Sequence, residues 1–471
     1  MTGRIAKFLF LIAAITGFQA AAGNHWYDGS WSGDLNVMGV KLTLNFNFTS
    51  AGDGDDITCT LDSPNQNAFG IPCSKVVISH NADKASGDTI EVSIDALRAS
   101  YRGVVCGDSV IDGKFKQGME FPLTLHRIAA PAVAAQRKQT PKAPFPYKTR
   151  DVKIQNTADG VTLAGTLTLP AEGKNFPAVV LVSGSGAQNR DEEMMGGHRP
   201  FAVIADYLTR HGIAALRYDD RGTAESTGDF KSSITQDFAR DAEAAFKFLA
   251  SQPEINKKKI GYLGHSEGGM IAFMNAAKDK NVAFIVTLAA PATKGRDLMI
   301  RQTGLIAAII RSSEIVNHDR KTEMIFDAIE QAADSATLRK QLFGILTDGG
   351  CPDSIPAEQR KNIEQQISVM TSPWYMNFIK YDPANAIRAV KCPVFALGGS
   401  LDSQVDAEIN LAAIRSLCGS KRVETQLYPG LNHLFQSSKP GMESLMYNQI
   451  EETISPQVLD DMAKWITSVA K

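Results

Sequence analysis

A short apolar run over residues 259–263 breaks into Gly264-His265-Ser266-Glu267-Gly268 and then into a helix-compatible segment. A serine at the tip of so sharp a strand-to-helix turn takes a backbone conformation that costs an L residue strain, and side chains two residues away on either side would crowd the turn. Glycine at positions 264 and 268 answers both demands. The spacing predicts a nucleophilic Ser266 raised above the end of a strand. A chance match in a glycine-rich turn is the alternative, and the rest of the chain decides between them by supplying or lacking a base, an acid and oxyanion donors.

With 471 residues the chain exceeds one ordinary domain. Its 49 Lys and Arg nearly balance 51 Asp and Glu, which argues against a nucleic-acid partner or an electrostatically held membrane surface. Arg4 and Lys7 precede an apolar run over residues 8–18 and then Ala20-Ala21-Ala22. This reads as a signal peptide over residues 1–22, because a bilayer span needs roughly 20 apolar residues. The expected destination is the periplasm or the exterior of a bacterium, with no integral membrane segment left in the mature chain. Export permits disulfides among the six cysteines, and Cys392 with Cys418, both expected at one edge of a sheet, form the preferred pair. No CxxC or Cys/His spacing suggests zinc.

Residues 24–129 alternate apolar and polar, as in Leu42-Thr-Leu44-Asn-Phe46-Asn-Phe48, and predict a small all-β domain, a barrel or a sandwich. The acidic turn at residues 52–56 lacks the downstream Glu of a calcium loop and reads as a solvated hairpin. Trp26, Tyr27 and Trp31 suit either a packed first strand or a sugar or peptide surface, and packing is the expected use. Residues 130–148 carry Pro131, Pro141, Pro144 and Pro146 and read as a stiff linker. From 149 to 471, buried-type strands at 178–182, 213–218, 259–264, 284–289, 394–397 and 423–428 alternate with amphipathic helices, after an antiparallel pair flanking Asp159-Gly160. That order implies a mostly parallel sheet covered on both faces. Residues 294–381 interrupt it with helical stripes such as Met299, Ile300, Leu305 and Ile306, predicting a cap over Ser266.

A serine needs a general base, and only His318 and His433 follow it in the chain. His318, beside Asn317 and Asp319, reads as a helix-surface residue. His433 lies in a turn directly after the last strand and is the candidate base. The acid should leave a neighbouring strand end, where Asp402 in Gly398-Gly-Ser-Leu-Asp402 fits and Asp406 reads as helix-start charge. The oxyanion donors would be the amides of Glu267 and, in the Ser183-Gly-Ser-Gly186 loop, Ser185, with Gly186 close behind. That loop lacks the ending of a nucleotide-phosphate cradle. Tyr218-Asp-Asp-Arg-Gly222 reads as charged support beneath the site.

Together, Ser183 to Gly186, Asp219 to Gly222, Gly264 to Gly268, residues 398–405 and Asn432-His433 resemble the α/β-hydrolase superfamily. The likeness is closer to exported bacterial serine esterases related to the serine aminopeptidase and prolyl-oligopeptidase hydrolases. The resemblance implies a mostly parallel eight-stranded sheet with a helical cap, preceded by the small all-β domain. It implies a Ser266, Asp402, His433 triad that hydrolyses a small or medium acyl ester through an acyl-enzyme, with no metal or organic cofactor. Ser183 stands where many relatives carry His in the oxyanion loop, so lipase-type specificity does not transfer. A peptidase with the same triad is the alternative. An envelope-glycan binder with a vestigial hydrolase domain is a reading from another class.

Overall fold

A computed structural model describes residues 26–470 except 38–39, 52–55, 65–67, 81–86, 129–136, 195–196, 310–314, 350–354, 441–446 and 448–449. The signal-peptide segment, the hairpin turn at 52–55, much of the linker and Cys351 lie outside these residues. Two compact units form, one of residues up to 136 with 195–197 and one of residues 137–194 with 198–471.

The first unit is a single antiparallel sheet of β1 (Gly29–Val37), β2 (Val40–Ala51), β3 (Asp56–Ser63), β4 (Ala68–Pro72), β5 (Lys75–Ser79), β6 (Thr89–Ile94), β7 (Ala99–Cys106), β8 (Val110–Gln117) and β9 (Met119–Ile128). The strands lie in the order β4-β3-β2-β1-β9-β8-β7-β6-β5. The sheet is continuous from β4 to β5, and its strands share one core. Alternate residues supply that core: Leu44, Phe46 and Phe48 of β2 are all buried, as are Tyr27 and Trp31. The indole of Trp31 donates to the Tyr27 carbonyl at 2.9 Å. Tyr27 and Trp31 are thus packing residues, with Trp26 partly buried against them.

The second unit is built on an eight-stranded sheet of β10 (Tyr147–Asn156), β11 (Val161–Pro170), β12 (Phe176–Val182), β13 (Ala214–Tyr218), β14 (Ile255–His265), β15 (Phe284–Leu288), β16 (Val394–Gly399) and β17 (Val423–Tyr428). Their order is β10-β11-β13-β12-β14-β15-β16-β17. Every pair is parallel from β13 through β17, while β11 runs against both neighbours. This is the α/β-hydrolase arrangement. Ala178, Val180 and Val182 of β12 face one core while Val179 and Leu181 face the other, which explains why the strand reads as continuously apolar. The first core is closed by α2 (Thr235–Ala250), α3 (Glu267–Lys278) and α10 (Ala407–Leu417), and the second by α1 (Pro200–Arg210) and α11 (Pro456–Val469).

Between β15 and β16 the chain leaves the sheet for α4 (Gly295–Ile309), α5 (Ile315–Gln331), α6 (Ser335–Leu346), α7 (Ala357–Met370) and α8 (Pro373–Lys380), followed by α9 (Ala384–Ala389). These helices bury a core of their own that includes Phe326, Ile329, Leu338, Leu342, Ile363 and Ile367. The expected bridge between Cys392 and Cys418 is not formed: both stand as free thiols. The start of β16 and the end of α10 do bring them together. The Cys392 thiol is pushed up to about 12, first by burial and then by the charge of Cys418.

Candidate active site

Ser266 sits between β14 and α3 with φ 52° and ψ −120°, in the left-handed region that disfavours an L side chain. It is half-buried between the fully buried His265 and Glu267. The glycines that flank it are required by space. A Cβ on Gly264 would fall on the Gly268 carbonyl, and one on Gly268 would fall on the carbonyl of Val182 in β12. The turn is further pinned by the Ser266 N–H donating to the Leu288 carbonyl at 2.8 Å. Helix α3 starts at Glu267, so the amides of its first turn open toward the serine.

Asp402 and His433 meet on loops that follow two adjacent parallel strands, β16 and β17. His433 Nδ1 lies 2.8 Å from Asp402 Oδ2, and both side chains are buried. The other carboxylate oxygen, Oδ1, accepts the backbone N–H groups of Gln404 and Val405, each at 2.8 Å. A carboxylate fixed on three sides holds the imidazole in one orientation, with Nδ1 against Asp402 and Nε2 on the other edge of the ring. Asn432 shapes the histidine loop: its side-chain oxygen accepts from the amides of Leu434 and Gln436, each at 3.0 Å. Asp406, the runner-up acid, instead caps α10 through the Ile409 amide and pairs with Arg301 of the cap at 2.9 Å. His318 lies on α5.

The loop after β12 is held by carboxylates. Asp220 accepts from Ser183 Oγ at 2.8 Å and from the Gln188 amide at 2.9 Å, while Asp219 takes the Arg190 guanidinium and amide. Arg221 pairs with buried Asp241 at 2.6 Å and with Asp159 at 2.7 Å. Asp219 and Asp220 therefore support that loop, while Arg221 ties its own turn to α2 and to the turn between β10 and β11. Burial pushes the Asp220 carboxyl well above the usual carboxylate range, against the opposing hydrogen bonds of Gln188 and Ser183. The Gly184 amide is engaged by Glu192 at 2.7 Å, and the exposed Ser185 and Gly186, the latter with φ 105°, follow it in the loop.

Two buried carboxylates near the serine have partners that sequence reasoning did not anticipate, those of Glu267, expected only as an amide donor, and of Glu192. Glu267 accepts from Thr235 Oγ1 at 2.6 Å and from the Trp374 indole of α8 at 2.9 and 3.0 Å, and the Ser185 hydroxyl bonds to it as well. Its pKa is nonetheless raised, because burial outweighs these donors. Beside it, Met270, Leu298, Phe378 and Val405 form a buried apolar cluster that joins α3 to the cap helices α4 and α8. Glu192, with φ 51°, lies 2.9 Å from His265 Nδ1, and His265 Nε2 lies 3.1 Å from the His433 carbonyl. The only signal for either pair was position next to Ser266. Among the described residues, no group of three or more His, Cys, Asp or Glu is placed to hold a metal ion.

The family model of the X-Pro dipeptidyl-peptidases (S15 family) matches residues 159–423, more than half of the chain. The chain belongs to the S15 family. It is accordingly a hydrolase of the α/β class, and the matched span covers the elbow and Asp402 and ends before His433. Esterase EstD of Thermotoga maritima is 24% identical over 325 residues, covering 69% of this chain and 68% of that protein. Polyketide transferase claH of Penicillium crustosum is 32% identical over 145 residues, and the chain spans 44% of its length. Among solved structures, the α/β hydrolase GrgF from Penicillium sp. sh18 is 22% identical with a TM-score of 0.43, over 69% of this chain and 99% of that one.

Proposed function

We propose that the chain is a serine carboxylesterase for small or medium acyl esters, with Ser266 as nucleophile, His433 as general base and Asp402 as the acid that orients it. The Asp402 to His433 hydrogen bond at 2.8 Å, in a chain whose elbow serine has φ 52°, is the observation that carries the reading. In the first half-reaction His433 Nε2 takes the Ser266 proton as Oγ attacks the acyl carbon. The tetrahedral oxyanion is held by the Glu267 amide and by the amide of Ser185 or Gly186. His433 then returns the proton to the leaving alcohol. Water repeats the sequence on the acyl-enzyme and releases the acid. In the first half the Ser266 Oγ–acyl bond forms and the ester C–O bond to the alcohol breaks; in the second the water oxygen bonds the acyl carbon and the Oγ–acyl bond breaks.

The relative EstD is named as an esterase, which supports the ester reading, whereas the family's own name supports a peptidase with the same triad. Turnover of nitrophenyl acyl esters against X-Pro amides separates the two. The expected result is ester turnover, together with labelling by a fluorophosphonate probe that S266A abolishes. Equal labelling of wild type and S266A would remove Ser266 from the mechanism. Export of the chain belongs to the same proposal and is checked by expressing it in a bacterium and sequencing the mature amino terminus, expected near Gly23. Among the described residues no helix is long and apolar enough to cross a membrane.

A further inference from the structure

Behind the proposed triad stands a second acid and imidazole pair that the mechanism does not use. His265 is 6% exposed and Glu192 is 2% exposed. Both ring nitrogens of His265 face acceptors: Nε2 faces the His433 carbonyl at 3.1 Å, and Nδ1 faces Glu192 Oε1 at 2.9 Å. A backbone carbonyl only accepts, so Nε2 carries a hydrogen. The remaining contact then needs one further proton, because a neutral imidazole protonated at Nε2 would turn a bare Nδ1 toward an ionised carboxylate. Glu192 Oε1 also accepts the Gly184 amide at 2.7 Å, so that oxygen already serves as an acceptor and the further proton is placed on the ring. The ring so charged lies 4.8 Å, centroid to centroid, from the ring of His433.

We propose that His265, held by Glu192, is a positioning residue for the general base: it fixes the His433 backbone from below and keeps a buried imidazolium beside its ring. Two like charges 4.8 Å apart in a buried setting disfavour one another. The cation and the bond to the His433 carbonyl therefore set both the field around the base and the position of its backbone. Glu192 lies across the opposite edge of the His265 ring, so the cation is interposed between that carboxylate and His433. The other titratable groups near the pair are Asp402, which favours the charged His265, His198, whose pKa the charge of His265 lowers, and Asp220, whose pKa the charge of Glu192 helps to raise. Burial by itself lowers the pKa of His265. The charge and hydrogen bond of Glu192, the His433 carbonyl and Asp402 together outweigh it and hold the ring above its ordinary value.

This inference rests on His433 being the base, and its test is arranged to separate the two. Wild type, H265Q and E192Q are compared by steady-state kinetics on a soluble nitrophenyl ester and by nitrogen-15 NMR of the histidine rings. The expected NMR result is that His265 carries hydrogens on both nitrogens at pH 7. In each variant kcat should fall about tenfold or more with KM little changed, and the ring-nitrogen signals of His433 should move from their wild-type positions. A His265 ring with one bare nitrogen at pH 7 overturns the proposal, as does a folded H265Q or E192Q whose kcat and His433 ring signals match wild type. If wild type neither turns over esters nor labels with the fluorophosphonate, the esterase reading fails, and the ring signals of His265 and His433 still decide the inference.

Discussion

Ser266 holds φ 52° because its neighbours leave no other path: Gly264 passes against the Gly268 carbonyl, and Gly268 passes against β12. Strain of this kind costs on the order of 1–3 kcal/mol and persists only where the surrounding packing over-determines it. At the same scale, Asp402 does its proposed work through a single oxygen, since its other oxygen is occupied by the Gln404 and Val405 amides. D402N keeps the shape of that loop and offers His433 a donor in place of an acceptor. The expected loss in kcat on a nitrophenyl ester is about four orders of magnitude with KM nearly unchanged, measured by steady-state kinetics. Asp220 yields a prediction in pH. Its folded pKa is raised by burial, so its contribution to stability is complete below the unfolded value and is lost as pH rises through the folded one. D220N cannot ionise, and its melting temperature should fall less steeply than that of wild type between neutral and alkaline pH, as read by differential scanning calorimetry.

Among the elements, α8 couples cap to site through a single hydrogen-bonding side chain. The Trp374 indole donates to Glu267, the residue whose amide is the proposed oxyanion donor, while Phe378 packs with Met270 one turn into α3. W374F removes the donor and keeps most of the apolar volume, leaving a buried carboxylate short of one partner. The expected cost is about 1–3 kcal/mol in stability by chemical denaturation, with a larger rise in KM for bulky acyl esters than for acetate esters. An unchanged chain-length profile would place the acyl pocket elsewhere in the cap. The elbow, both strand-end loops and most strands were legible because each depends on residues close in sequence: apolar runs of strand length, glycines at a forced turn, and a histidine just past a strand. The cap was legible as a helical insertion but not in its packing. Which of its aromatics reaches the serine depends on helix packing over a hundred residues away in the chain.

At the scale of the whole molecule the two units have separate hydrophobic cores, and every proposed catalytic group lies in the second. A chain of residues 137–471 is therefore expected to fold and to keep its rate on short esters, and loss of folding or of turnover in that chain would contradict it. Arg137 and Gln139 bond the backbone of residues 450–454 within that unit, so truncation should begin no later than 137.

Sequence alone determined the hydrolase class and the sharp glycine-flanked turn at Ser266, and it pointed to the proposed acid and base that follow, because steric necessity at a turn and the period of a buried strand are written in neighbouring residues. It also pointed to a Cys392 to Cys418 bridge that the structure leaves as two thiols. Only the tertiary structure decided that Glu192 stands against His265 and Trp374 against Glu267. Those pairs join residues 73 and 107 positions apart. What unites them is burial, which forces a carboxylate to find whatever donor the fold brings within reach.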